Sequence, residues 1–106
     1  MENQHRKIAG YRELSQEEID LMNRIKAKGA EMLQLHAELS GLLSQSQIDR
    51  YNAVDNACNS DQAALAQAEL DRFSAAEPFR WAAIGKTDIQ TGIMALVRAV
   101  AQPGGV

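Results

Sequence analysis

The chain has 106 residues, room for a single domain, and its 45% hydrophobic content suits a packed fold rather than a disordered chain. A net charge of −3 argues against a general binder of DNA or RNA polymers, which would be basic overall, and leaves room for a small anionic ligand held by a few focused cations. Cys58 is the single cysteine, so no disulfide closes within the chain, and no apolar run approaches the roughly 20 residues that span a bilayer.

Ala, Leu, Gln and Glu are abundant and aromatics make up only 5%, a balance that favours helix and leaves a thin core. Oligomerisation is therefore expected to bury the remaining apolar surface. Residues 1–14 read as a polar arm, with a short helix around Gln4 to Ile8 and no signal-peptide pattern, so a cytoplasmic protein is expected. Residues 15–58 read as the first long helix and its continuation. Ser15 and Glu18 have the spacing of a capping box at its start. Met22, Ile25, Gly29, Met32, His36, Leu39 and Leu43 then alternate steps of three and four, an apolar seam flanked by Leu21, Leu33, Leu35 and Leu42. Ser15 to Leu43 alone would reach about 43 Å, so the helix must pair with another.

Residues 44–58 carry Ile48, Tyr51 and Val54 among serines and asparagines, and either continue the helix or break into a short one. Residues 59–77 form the connection, alanine-rich, with Asn59 or Ser60 as its cap. Glu77-Pro78 marks a boundary, since proline disfavours helix at the residue before it and suits a first helical turn. The last long helix is predicted over 78–102, with Trp81, Ile84, Ile89, Ile93, Leu96, Val97 and Val100 as its apolar positions. The fold expected is all-α: one domain, an antiparallel helical hairpin with an extended helical connection, oligomeric.

Several residues invite a chemical reading. Tyr11 precedes the cap of the first helix and Lys26 follows about three turns on. A ring and an ammonium so placed suit a flat anionic molecule, the ring stacking on a base and the ammonium meeting a phosphate. The residues alone equally allow Tyr11 as a packing ring. Arg80 stands in the first turn after Pro78, with Lys86 and Thr87 beyond it, an edge suited to anions or an ordinary solvated face. Gly29, Gly85 and Gly92 sit inside predicted helices, where glycine costs about 1 kcal/mol against alanine, so something is expected to come close to them, either a packed helix backbone or a ligand. His36 and His5 have no Cys or second His at ligand spacing, so neither a metal site nor a cofactor is expected. No triad, carboxylate pair in a cleft or phosphate loop emerges, which argues against an enzyme.

Two blocks together carry a resemblance: Ile8-Ala9-Gly10-Tyr11-Arg12-Glu13-Leu14-Ser15-Gln16-Glu17-Glu18-Ile19 with Asn23, Ile25 and Lys26, and Arg80-Trp81-Ala82-Ala83-Ile84-Gly85-Lys86-Thr87 with Gln90, Gly92 and Met94 to Val100. The pair resembles the small bacteriophage anti-CBASS proteins that sequester cyclic oligonucleotides, whose helical hairpin also occurs in phage proteins that counter Thoeris immunity. The blocks leave residues 44–77 outside the resemblance. The resemblance implies a sponge, a homohexamer in the cytoplasm of the infected bacterial host that binds immune messengers without cutting them. It implies cyclic dinucleotides such as cyclic GMP-AMP between protomers, with Tyr11 on the base and Lys26 on the phosphate. It also implies a second pocket type for cyclic trinucleotides, near which Arg80, Lys86 and Thr87 fall. The alternative is a non-catalytic helical adaptor whose seam binds a partner helix.

Overall fold

A computed structural model describes residues 12–104. Tyr11 and the segment from Gln4 to Ile8 lie outside the described residues. Three helices follow in order: α1 (Gln16–Asp55), α2 (Ser60–Ala75) and α3 (Pro78–Ala101). The described residues hold no strand, so the chain is an all-α hairpin in which α2 forms most of the connection.

Local chemistry sets each helix end. The Glu18 N–H donates to Ser15 Oγ at 3.1 Å and the Ser15 N–H donates to Glu18 Oε1 at 2.9 Å. These reciprocal bonds satisfy two donors that a helix start leaves free. α1 does not break at the serines and asparagines after residue 43; it runs on to Asp55. Side chains support that stretch: Gln45 Nε2 donates to Asp49 Oδ1 at 2.9 Å, and Arg50 Nη1 to the Ser46 carbonyl at 3.1 Å. Asn59, in extended backbone with φ −152°, caps α2 by accepting the Gln62 N–H at 2.9 Å. Glu77 takes φ 51° between α2 and α3, which turns the chain ahead of Pro78.

The chain divides into two compact units, residues 34–86 being one and the described residues on either side of them the other. In the flanking unit, the start of α1 and the end of α3 run antiparallel, since Arg12 hydrogen-bonds the carbonyls of Val100 and Ala101. Gly29 is buried there against Ile93, and an added Cβ would lie 2.7 Å from Ile93 Cγ1. Close packing is thus real at Gly29. At Gly85 and Gly92, by contrast, nothing lies within 4 Å of an added Cβ. Among the described residues no neighbour requires glycine at either position.

The covered stripe of α1 passes through Ile19, Met22, Ile25, Gly29, Leu33, His36 and Leu43. Met32 and Leu39, expected on the seam, are 49% and 43% exposed. The reason is the helical period: 3.6 residues per turn drifts off a strict heptad, so the stripe steps by four at Leu33. Trp81 and Leu96 are likewise exposed.

The unit of residues 34–86 is organised around Leu70 and Phe73, the buried hydrophobic side chains of the described residues. Phe73 meets Phe79 edge-to-face with ring centroids 6.2 Å apart. The Arg50 guanidinium carbon lies 4.6 Å from the Phe73 ring centroid while its Nη2 donates to Glu69 Oε1 at 3.0 Å. Glu69 also accepts from Arg72 Nε at 2.9 Å, so one carboxylate ties two guanidinium groups together.

Candidate functional site

Lys26 stands on α1 in the flanking unit, at the edge of a pocket of about 370 Å³. The polar members of that pocket are Arg12, Asn23 and Lys26; Leu14, Ile19, Met22 and Ala101 give it apolar walls. Helical geometry explains the set, because Ile19, Met22, Asn23 and Lys26 recur at three- and four-residue steps and share one face. The volume lies within the ~300–1,000 Å³ of ordinary ligand pockets, and an apolar floor with a few polar groups is their usual make-up.

The charges here are unequal in freedom. Arg12 is tied to Glu18 by an ion pair with Oε2 and a second contact from Nη1 to Oε1 at 3.4 Å. Its Nη2 donates to the Val100 carbonyl at 2.6 Å and its Nε to the Ala101 carbonyl at 3.2 Å. The bonds from Arg12 and then the Ser15 N–H hold the Glu18 carboxyl near pKa 2, below its usual 4.5. Lys26 is exposed and has no ion-pair partner among the described residues. Tyr11, expected to stack on a base while Lys26 meets a phosphate, lies outside the described residues.

Arg80 and Lys86 belong to the unit of residues 34–86 and Thr87 to the flanking unit. All three are exposed. Arg80 Nη1 stands 3.8 Å from Glu77 Oε2, and its guanidinium carbon lies 5.1 Å from the Trp81 ring centroid. Lys86 projects about 120° around α3 from Arg80. The ion pair with Glu77 is the arrangement that a solvated face would give. It leaves most of the guanidinium donors open.

Two pocket members, Arg12 and Asn23, had no role assigned from the sequence. Asn23 carried a usable signal, since it precedes Lys26 by three residues on one helical face. Arg12 carried none, because its partners Val100 and Ala101 lie 88 and 89 residues away.

Residues 4–101 match the family model for the Acb2/Tad1 hairpin domain. The chain belongs to this family. It is also 59% identical over 108 residues to Anti-CBASS protein 2 of Pseudomonas phage JBD67, with 99% of each chain covered. The connection at residues 44–77, outside the resemblance seen in the sequence, falls within both matches and is part of the hairpin-domain pattern. Among its described residues, the chain combines a pocket lined by Lys26 with a helical frame. Among the described residues no helix is long and apolar enough to cross a membrane, and no three His, Cys, Asp or Glu side chains gather as a metal-holding group.

Proposed function

We propose that this protein is a phage anti-CBASS sponge: it binds cyclic dinucleotide immune messengers, such as cyclic GMP-AMP, without cleaving them. The downstream effector in the infected host's cytoplasm then stays inactive. Near-full-length similarity to a protein named Anti-CBASS protein 2 is the observation that carries this reading. The pocket supports it physically. Lys26 offers an ammonium with no ion-pair partner among the described residues, beside an apolar surface, and Tyr11 is the ring we assign to a base. A cyclic dinucleotide is two-fold or nearly so, and an isologous interface presents each residue twice. Two rings and two ammonium groups then meet two bases and two phosphates. Stacking at about 1–3 kcal/mol per base and charge-assisted bonds at about 1.5–3 kcal/mol bring nanomolar binding, about −12 kcal/mol, within reach after ordering costs.

A homohexamer provides such interfaces. The exposure of Leu21, Met32, Leu35, Leu42 and Met94 gives the chain ample apolar surface for it. For cyclic trinucleotides at a three-fold arrangement we assign Arg80 to a second pocket type, with Lys86 and Thr87 as further candidates although Lys86 projects about 120° around α3 from Arg80. Calorimetric titration with cyclic GMP-AMP tests the reading, and chromatography of ligand recovered after heat denaturation should return it intact. A parent protein that binds neither cyclic dinucleotides nor trinucleotides is a helical adaptor instead, its exposed seam serving a partner helix. Recovered linear product would make it a hydrolase.

A further inference from the structure

Arg12 is a cation in the Lys26 pocket, and the simplest expectation is that it meets phosphate alongside Lys26. The geometry opposes that. All three guanidinium nitrogens are engaged: Nε on the Ala101 carbonyl at 3.2 Å, Nη2 on the Val100 carbonyl at 2.6 Å and on Glu18, and Nη1 on Glu18 at 3.4 Å. Val100 and Ala101 are the last two residues of α3, and their carbonyls are among those a helix end leaves without partners. A cation there also meets the negative end of the helix dipole. Glu18 is itself fixed by the Ser15 N–H at 2.9 Å. The chain Ser15–Glu18–Arg12–Val100/Ala101 therefore fastens the start of α1 to the end of α3. Ala101 and Arg12 are at once part of this clamp and of the pocket wall.

We infer that Arg12, held by Glu18, is a positioning residue for the Lys26 pocket: it fixes the α3 wall against the start of α1 and leaves phosphate to Lys26. The inference rests on the reading of this pocket as the dinucleotide site.

The test is calorimetric titration of cyclic GMP-AMP into the parent, Arg12→Ala, Arg12→Lys, Glu18→Gln and Lys26→Ala proteins, at low and high salt, with circular dichroism confirming that each is folded. A positioning role predicts that Arg12→Ala and Glu18→Gln both weaken binding on the order of tenfold, with the parent's salt dependence retained. Lys26→Ala should weaken binding and flatten the salt dependence, since it removes the attraction that salt screens. Glu18→Gln decides the sign. If Arg12 met phosphate, releasing it from a carboxylate would tighten binding; if Arg12 positions the wall, binding weakens. Arg12→Lys keeps the charge without the planar fork that spans two carbonyls and a carboxylate, so it should not restore affinity. Unchanged affinity in folded Arg12→Ala, tighter binding by Glu18→Gln or rescue by Arg12→Lys would each overturn the inference. Should Arg12→Ala fail to fold, Glu18→Gln carries the test alone. A parent protein that does not bind cyclic GMP-AMP fails at the earlier step and removes the site reading, whereas binding lost in Tyr11→Ala but intact in the clamp variants removes the clamp alone.

Discussion

Lys26 and Glu18 lie two turns apart on α1 and differ in what surrounds their charges. Lys26 has an open ammonium above an apolar wall, so Lys26→Glu should weaken dinucleotide binding more than Lys26→Ala, adding repulsion to lost attraction. Equal losses in calorimetry would mean that the ammonium does not touch the ligand. Tyr11→Ala should lose dinucleotide binding with the thermal midpoint unchanged, while Arg80→Ala should lose only trinucleotide binding; a shared loss would reduce two pockets to one. Glu18 and Glu69 make a different prediction. Arg12 and then the Ser15 N–H hold Glu18 near pKa 2, and Arg72 and then Arg50 do the same for Glu69, against a usual 4.5. A depressed carboxyl stabilises the fold fully above its unfolded pKa and loses that contribution as pH falls through the folded value. The melting temperature should therefore fall between pH 4.5 and about 2. The double variant Glu18→Gln/Glu69→Gln should show a shallower acid slope; an identical slope would mean that these pairs contribute nothing. The capping box was legible in the sequence because its partners are three residues apart. The Arg12 clamp was not, because its acceptors are backbone carbonyls from the far end of the chain.

At the scale of helices, period and caps were readable and the fine choice of face was not. The start of α1 after Ser15, the asparagine cap of α2 and the break at Glu77-Pro78 all follow from local chemistry. The continuation of α1 through Asp55 was undecided in the sequence, because Ser44, Ser46 and Asn52 weaken helix locally while Arg50 gains a ring and a carboxylate only through packing. A strict heptad puts Met32 and Leu39 on the covered side, whereas 3.6 residues per turn carry both out to solvent. Asn59→Ala should cost about 1 kcal/mol by removing the cap. Two glycines give a paired prediction. Gly29→Ala would press into Ile93, at about 1–3 kcal/mol of overpacking against a helix gain of about 1 kcal/mol. Gly85→Ala meets open space, so it should gain up to about 1 kcal/mol in the isolated chain. Chemical denaturation checks both signs. A loss of stability or of assembly in Gly85→Ala would identify that glycine as a point where a second chain comes close.

The whole molecule is short of interior: Leu70 and Phe73 are the buried hydrophobic side chains of its described residues, while Leu65 and Met94 are more than 70% exposed. A monomer so built leaves much of its apolar surface in water, at about 25 cal/mol per Å² that association would recover. An apolar groove of about 530 Å³ in the flanking unit has Ile25, Met32, Ile93 and Leu96, with Arg24 and Asp88, among its lining, and it is the surface on which the proposed assembly can be tested. Leu96 is 56% exposed, and a substitution at so open a position ordinarily changes monomer stability by no more than about 0.5 kcal/mol. Leu96→Glu therefore separates the two scales. If the hexamer closes over this groove, the variant should fall from six times the 11.6 kDa chain mass to smaller species in native mass spectrometry. Its melting temperature should lose the concentration dependence of the parent, and dinucleotide affinity should drop although Lys26 and Tyr11 are intact. If the groove stays open to solvent, mass, melting and affinity should all match the parent. A hexamer that survives Leu96→Glu with unchanged affinity would place the protomer contacts, and the two-fold pocket that depends on them, elsewhere on the helices.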